Sequence, residues 1–207
     1  MKNLPDKTVE RLCQYRRSLN NQIATGKTHI FSHEIANLLH ITSVQVRRDI
    51  MLIGHSGTLR KGYDIKEMVK LIGKIIDTKE GQRIAIVGMG NIGKAYIHYL
   101  YEKRSKLKIV ASFDINPEKI GKTYADVYCY SFDRLEEIIK KEDIKIGIIT
   151  TPPMVAPDIC EKLIKAGIKG ILNFTPKPLS VPDEVYLEEY DMITSLEKVA
   201  FFVKHNE

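Results

Sequence analysis

Residues 84–93 read I-A-I-V-G-M-G-N-I-G, and this stretch constrains the fold more than any other part of the chain. Four apolar residues typical of a buried strand lead into three glycines, and a helical pattern begins at Asn91. A strand, a G-x-G-x-x-G turn and a helix form the phosphate-binding corner of a Rossmann fold. Gly88 permits the tight turn, Gly90 lets the backbone approach a pyrophosphate, and Gly93 lets the helix pack close to the strand.

A carboxylate strengthens this interpretation. Asp114 lies 21 residues after Gly93 and ends a second apolar run, residues 108–113. An acidic side chain in this position can accept hydrogen bonds from both hydroxyls of an adenosine ribose, and its negative charge repels a 2′-phosphate. The spacing therefore favours NAD(H) over NADP(H). The alternative is a strand–helix–strand unit with a glycine turn and no ligand.

The rest of the C-terminal part alternates between strand and helix at short spacing, which predicts a mainly parallel sheet. Strands are predicted at 144–151 and 170–174, and short helices begin at 116 and 132. Ligand contacts belong at the carboxyl ends of parallel strands. The residues expected there are Gly88, Asp114, Thr150, Thr151, Pro152, Asn173 and Phe174. For Thr151 and Phe174, the sequence is equally compatible with ligand contact and with a purely structural role in turn formation or core packing.

The positive charge lies ahead of the glycine motif. Residues 1–79 contain 14 lysines and arginines against 7 acidic residues, whereas the remainder contains 18 against 19. A basic module joined to a near-neutral nucleotide-binding module suggests that the first part binds a polyanion. An ordinary basic surface is the alternative.

Three helices are predicted in this basic part, at 5–24, 32–39 and 44–53, and the last two read as a helix-turn-helix. The third helix has a polar face of Gln45, Arg47, Arg48 and Asp49, which suits readout of the DNA major groove. Residues 54–63 then predict a hairpin, or wing, with a basic pair near its tip. The expected DNA contacts are Ser43, Gln45, Arg47, Arg48, Arg60, Lys61 and Tyr63. The alternative is a small helical protein-interaction domain.

Several classes of protein are disfavoured. The chain has no run of about 18 apolar residues that could span a membrane, and no apolar signal core near its start. Cys13, Cys129 and Cys160 form no C-x-x-C and no Cys/His cluster, so neither a disulfide framework nor a metal site is expected. Reduced thiols predict a cytoplasmic protein.

Four motifs resemble the Rex family of bacterial redox-sensing transcriptional repressors, in the same order and across nearly the whole chain. They are V-Q-V-R-R-D-I-x-x-I-G at 44–54, G-M-G-N-I-G-K-A at 88–95, F-D-I-N-P-E-K-I-G at 113–121 and A-G-I-K-G-I-L-N-F-T-P at 166–176. The resemblance implies a homodimer in which each chain has a winged-helix domain, a Rossmann domain and an exchanged C-terminal helix. It also implies competitive binding of NADH and NAD+, with release of operator DNA by NADH.

The resemblance further implies roles for individual residues. Tyr99 and Phe174 would lie near the nicotinamide, and Arg17 would signal between the domains. The full set expected to bind NADH or NAD+ is Gly88, Met89, Gly90, Asn91, Ile92, Gly93, Tyr99, Asp114, Ile115, Lys119, Thr150, Thr151, Pro152, Asn173 and Phe174.

One stretch departs from the family pattern. Thr58-Leu59 stands where the wing usually carries Lys-Arg, and the basic pair falls two positions later. Met51-Leu52-Ile53 replaces the family's Ser-Tyr-Phe after the recognition helix. Both departures fall in segments expected to contact DNA, so the resemblance leaves the operator preference open.

The sequence thus predicts an α/β chain with an N-terminal winged helix-turn-helix DNA-binding domain (1–79), a Rossmann NAD(H)-binding domain (80–190) and a domain-swapped C-terminal dimerisation helix (191–207). The predicted function is a repressor that senses the NADH/NAD+ ratio, binding operator double-stranded DNA when NADH is low. One alternative is a Rex-like NAD(H) sensor that acts through a protein partner. A dehydrogenase is disfavoured because His98 and His205 are the only histidines after residue 80, so no enzyme activity is expected.

Overall fold

The computed structural model describes residues 4–58, 60–101 and 106–205. The chain divides into two compact units, Met1–Lys79 and Glu80–Glu207. The division falls at the boundary predicted between the first two domains. The C-terminal helix, predicted as a third segment, belongs to the second unit.

The first unit is a small helical domain closed by a two-stranded ribbon. Its elements are α1 (Asp6–Ala24), β1 (His29–Ile30), α2 (Ser32–Leu39), α3 (Ser43–Leu52), β2 (Tyr63–Asp64) and α4 (Ile65–Ile76). Strands β1 and β2 pair in antiparallel fashion. The apolar faces of α1, α3 and α4 meet in one core around Leu12, Val46, Ile50 and Met68, all fully buried. Helices α2 and α3 form the predicted helix-turn-helix.

The wing is a tight hairpin ahead of β2. Thr58 and Gly62 exchange two backbone hydrogen bonds, of 3.0 and 2.9 Å. Arg60 and Lys61 therefore lie at the tip, as predicted, and Leu59 is outside the described residues. Gly62 has a φ of +73°, and a Cβ there would lie 2.5 Å from the Ile30 carbonyl oxygen. Only glycine fits this close approach of two backbones.

The second unit is a Rossmann fold. Its elements are β3 (Gln82–Val87), α5 (Asn91–Tyr101), β4 (Leu107–Asp114), β5 (Thr123–Tyr124), β6 (Val127–Ser131), α6 (Leu135–Lys141), β7 (Ile146–Ile149), α7 (Ala156–Lys165), β8 (Gly170–Asn173), β9 (Tyr186–Glu189) and α8 (Met192–His205). The strands form one sheet in the order β5-β6-β4-β3-β7-β8-β9. All neighbours are parallel except β5 and β6.

The register of the three central strands positions the site. Val87 at the end of β3 pairs with Phe113 of β4 on one side and with Ile149 of β7 on the other. Gly88 and Thr150 follow β3 and β7, and Asp114 is the last residue of β4, so all three lie at one edge of the sheet. The chain leaves β3 toward β4 and later returns to its other side at β7. Such a reversal opens the crevice in which α/β proteins bind ligands.

Several elements differ from the predictions. Residues 116–120 form a turn and not a short helix, held by hydrogen bonds from the Lys119 and Ile120 amides to the Asn116 carbonyl. The β5–β6 hairpin was not predicted. The helix predicted to begin at Asn91 is described to Tyr101, and residues 102–105 lie outside the described part. Helix α8 is present, but none of its described residues is buried.

Candidate functional site

The glycine turn after β3 has the geometry that its spacing predicts. Gly88 has a φ of +101°, and a Cβ there would lie 2.7 Å from the Thr150 carbonyl oxygen. At Gly93, a Cβ would collide with the Gly88 carbonyl oxygen. The first glycine therefore permits the turn and the last permits close contact between α5 and the strand.

Gly90 differs from its two neighbours, because a Cβ there would meet no described atom within 4 Å. The space in front of Gly90 is open, and it adjoins the start of α5 at Asn91. The first amides of a helix have no intrahelical acceptor, and the helix dipole makes this end positive. Such a cradle fits an anionic phosphate group. Met89 is buried beside it, whereas Asn91 and Ile92 are exposed.

Asp114 is 8% exposed and braces the glycine turn. Its Oδ2 accepts hydrogen bonds from the Met89 amide (2.7 Å) and from Lys119 Nζ (2.9 Å), and its Oδ1 accepts one from the Asn116 amide (2.9 Å). Burial alone would raise the pKa of this carboxyl, but the hydrogen bonds from Asn116, Lys119 and Met89 outweigh burial and lower it. The carboxylate stays ionised. Because a carboxylate offers about four acceptor positions, one remains for a ligand hydroxyl.

Two threonines and a proline end β7 at the same edge. Thr150 Oγ1 donates a 2.7 Å hydrogen bond to the Gly88 carbonyl and so fixes the turn. Thr151 Oγ1 is buried and has no hydrogen-bond partner among the described residues. Buried hydroxyls are nearly always paired, so this one is available to a bound polar group. Pro152 follows it and is exposed.

Asn173 braces the loop after β8. It is fully buried, and its amide nitrogen donates to the Lys177 carbonyl (2.9 Å) and to Glu189 Oε1 (3.2 Å). Its oxygen accepts from the amide and the hydroxyl of Thr175. The sequence predicted Asn173 as a direct ligand contact, whereas in the structure these hydrogen bonds make it a support for the segment that begins at Phe174.

Phe174 lies in an aromatic cluster that the sequence did not reveal. Its ring centroid lies 5.1 Å from that of Tyr96 and 5.6 Å from that of Tyr190, both in edge-to-face geometry. Tyr99, which was predicted beside Phe174, is 57% exposed on α5 and is not one of these ring neighbours. Its position one helical turn before Tyr99 is the feature of the sequence that could have identified Tyr96 as a neighbour of Phe174.

The other candidate surface is α3. Thr42 begins the helix by accepting a hydrogen bond from the Gln45 amide (3.2 Å). Arg47 and Arg48 are exposed, and Arg47 Nη1 donates to Ser32 Oγ at the start of α2 (3.2 Å). Ser43 and Gln45 are half-buried on the same helix. The helix thus presents two guanidinium groups to solvent.

Asp49 is not on this exposed face, contrary to the sequence prediction. It is fully buried, accepts two hydrogen bonds from Arg11 (2.6 and 2.8 Å), and accepts one each from Tyr15 Oη (2.7 Å) and Gln45 Nε2 (2.9 Å). Burial would raise the pKa of Asp49, but the hydrogen bonds from Arg11, Tyr15 and Gln45 lower it. The ionised carboxylate therefore ties α3 to α1.

The wing and the first helix hold the remaining predicted residues. Arg60 and Lys61 are exposed at the wing tip. Tyr63 is only 9% exposed and belongs to the core of the first unit, which corrects its prediction as a DNA contact. Burial raises the pKa of its hydroxyl. Arg17 is exposed on α1.

Within the described ranges, no group of three or more His, Cys, Asp or Glu side chains could hold a metal ion. In the described part of the chain, Cys13, Cys129 and Cys160 take part in no disulfide bond. In the same ranges no helix combines the length and apolar character that crossing a membrane requires.

Two family models match the chain, one to each unit. The model described as "CoA binding domain" matches residues 79–177. The model described as "Putative DNA-binding protein N-terminus" matches residues 3–50. The first covers the strands around the glycine turn, and the second covers α1, α2 and most of α3.

Curated relatives match along almost the whole chain. The redox-sensing transcriptional repressor Rex of Bacillus licheniformis is 36% identical over 98% of this chain and 94% of its own length. Rex of Carboxydothermus hydrogenoformans is 36% identical over 98% of both chains. Rex of Listeria monocytogenes is 33% identical over 98% of this chain and 94% of its own.

Solved structures that match the chain include those of a repressor from the same family. Crystal structures of RSP, a Rex-family repressor, match 100% of this chain at 30% identity. The structure of RSP gives a TM-score of 0.87 over 96% of that chain, its complex with NADH gives 0.89 over 97%, and its complex with NAD+ and operator DNA gives 0.90 over 95%. With both units, the glycine turn and the recognition helix accounted for, the chain belongs to the Rex family of redox-sensing transcriptional repressors.

Proposed function

We propose that this chain is a transcriptional repressor that binds operator DNA when NADH is scarce and releases it when NADH binds. One observation carries the proposal: a single chain joins an open phosphate cradle at Gly90 to a helix that exposes Arg47 and Arg48. Its relatives are named redox-sensing repressors. The related RSP has been solved with NADH, and with NAD+ and operator DNA.

The second unit would hold the nucleotide along the edge of its sheet. The pyrophosphate fits the cradle between Gly88 and Gly93, where the helix start supplies amides and positive potential. The adenosine ribose would take the remaining acceptor position of Asp114. Ile115 is 80% exposed beside that carboxylate and offers apolar surface to the adenine. When bound, the nucleotide supplies a nicotinamide ring that exists in an oxidised and a reduced form.

Discrimination between the two forms must arise at the nicotinamide, because NADH and NAD+ share all their other groups. The NAD+ ring is a cation and the NADH ring is neutral. The cluster of Phe174, Tyr96 and Tyr190 is largely apolar, so burying the cation there without a partner costs more than burying the neutral ring. Thr151 Oγ1 remains available to a polar group of the ligand.

The first unit would hold the DNA. Arg47 and Arg48, with Ser43 and Gln45, would enter the major groove, since arginine pairs with guanine and glutamine with adenine. Arg60 and Lys61 at the wing tip would contact phosphates or the minor groove.

We further place the chain in a homodimer, held by an exchanged α8. Its apolar residues stay exposed in the single chain, including Leu196 (69%), Val199 (58%) and Phe202 (57%). Exposed apolar faces of this kind mark protein contacts. Arg17 would carry the signal between the domains, and Tyr99 would lie near the nicotinamide. The repressor would act in the cytoplasm and catalyse no reaction.

The test is selection of duplexes from a random pool by the purified full chain, followed by gel shifts with NADH, NAD+ or neither. We expect selected duplexes to be bound without NADH and released by it, with NAD+ much less effective. Selection of no duplex would contradict the proposal and favour a sensor that acts through a protein partner. Steady oxidation of NADH with added carbonyl compounds would indicate a dehydrogenase instead.

A further inference from the structure

Two exposed apolar side chains lie on the same face of α3 as its two arginines. Val44 is 58% exposed and Met51 is 73% exposed. Positions 44, 47, 48 and 51 follow the spacing of neighbours on one helix face. These four side chains, with Leu52, line one shallow depression. We call Val44 and Met51 the apolar stripe.

The stripe contributes nothing evident to the fold of the first unit. The inward face of α3 already consists of Val46, Asp49 and Ile50, each fully buried. The stripe lies on the opposite side, where polar residues are typical of a helix facing solvent. Its exposure therefore indicates contact with something outside the unit.

The surrounding charge restricts what that partner can be. Arg47 and Arg48 lie between the two apolar side chains, in a unit with 14 basic and 7 acidic residues. The partner must present negative charge together with small apolar groups a few ångströms away. The major groove of DNA has this combination, because phosphates border it and each thymine projects a C5-methyl group into it.

We propose that Val44 and Met51 read thymine methyl groups in the operator, next to the bases contacted by the arginines. This inference rests on the proposed function and adds a specificity that the arginines cannot supply, since they favour guanine. An unbranched methionine can adjust its three torsions to reach a methyl group, whereas Val44 offers a fixed branched surface.

Hydrogen bonds to neighbouring helices hold α3 in place, which favours readout of this kind. Asp49 fastens the helix to α1 through Arg11 and Tyr15, at distances of 2.6 to 2.8 Å. Arg47 is tethered to Ser32 of α2. Contacts made from a helix held in this way lose little conformational freedom on binding, so that even a methyl contact adds to affinity.

The experiment uses duplexes selected from a random pool by the full chain. Each thymine of a selected duplex is replaced in turn by uracil, which lacks only the methyl group, and affinity is measured by fluorescence anisotropy. We expect one or two thymines per half-site whose replacement weakens binding about fourfold, the fold-change that corresponds to burying one methyl group.

Two variants then assign the contacts. Met51→Ala and Val44→Ala should each abolish the uracil effect at one thymine while leaving the other intact. Val9→Ala is the matched control, because Val9 is an exposed apolar residue of α1 (38%) outside the stripe, and it should leave every uracil effect unchanged. Circular dichroism checks that each variant is folded.

The outcomes separate this inference from the proposed function. If selected duplexes bind tightly and every uracil duplex binds as well as its thymine parent, the stripe does not read methyl groups and the repressor function stands. If uracil effects persist in both stripe variants, other side chains read the methyls, which also overturns the inference. If no duplex is selected, the proposed function fails, and the inference fails with it.

Discussion

Gly90→Ala should abolish tight NADH binding without weakening the fold. A Cβ at this position meets no described atom within 4 Å, and Gly90 is not one of the glycines with positive φ. Replacing glycine by alanine where the backbone is unstrained changes stability favourably by about 0.4–1 kcal/mol. The new methyl group would instead occupy the space that we assign to the pyrophosphate.

The expected loss follows from the contacts that the methyl group displaces. Moving the pyrophosphate away removes one hydrogen bond or more between a backbone amide and a charged oxygen, each worth about 1.5–3 kcal/mol. The dissociation constant for NADH should rise about 10- to 150-fold. Fluorescence titration of NADH measures the affinity, and urea unfolding measures the stability.

Two other alanine substitutions serve as controls. Gly170→Ala places a Cβ 3.8 Å from Ile146 Cγ1, an ordinary contact, so it should change neither affinity nor stability much. Gly93→Ala places a Cβ against the Gly88 carbonyl oxygen, so it should destabilise the second unit by about 1–3 kcal/mol. Unchanged NADH affinity in folded Gly90→Ala would show that the pyrophosphate does not bind at this turn.

Three further predictions concern the other parts of the two sites. Asp114→Ala should weaken NADH binding by about 1–3 kcal/mol, and equal affinity of the unaltered protein for NADH and NADPH would contradict a ribose role for this carboxylate. Phe174→Ala should lower affinity for NADH more than for NAD+ in parallel titrations, whereas an equal loss would place the nicotinamide away from the aromatic cluster. Because the folded state lowers the pKa of Asp49 below its ordinary value, near 3.8, its stabilising effect should be full above that value and lost as the pH falls through the folded pKa. Unfolding in urea from pH 7 to pH 3 should therefore show that the free energy of unfolding falls less with decreasing pH for Asp49→Asn than for the unaltered protein. An identical pH dependence of the two proteins would contradict this linkage.

The parts of the fold that follow from local patterns could be predicted from the sequence. The spacing of the three glycines predicted a tight turn with close packing and an open side, and the structure has close backbone contacts at Gly88 and Gly93 and open space at Gly90. The helix-turn-helix and the wing tip followed from apolar spacing and glycines in the same way. The domain boundary at Lys79 followed from a change in composition and pattern.

Features that depend on contacts between distant residues could not be predicted. Asp49 is polar and lies among exposed arginines in the sequence, but Arg11 and Tyr15 of α1 allow it to be buried. The β5–β6 hairpin turns at Ala125 and Asp126, which both have positive φ, and alanine is no signal for such a turn. Tyr190 meets Phe174 only because β9 lies beside β8.

The burial of Tyr63 shows the same limit. Its place after a basic wing suggested a DNA contact, yet β2 pairs with β1 and turns the ring into the core of the first unit. The register of a two-residue strand decides this orientation, and no local pattern fixes it.

Release of DNA as the NADH/NAD+ ratio rises is the behaviour that defines a redox-sensing repressor, and it can be measured in one titration. A labelled selected duplex bound to the full chain is followed by fluorescence anisotropy at constant total nucleotide while the NADH fraction increases. Moving from nearly all bound to nearly all free requires about 5.5 kcal/mol of differential affinity, which two sites in a dimer can share. We predict release as NADH replaces NAD+, with NADPH in place of NADH having little effect. A duplex that stays bound at every ratio would contradict the account.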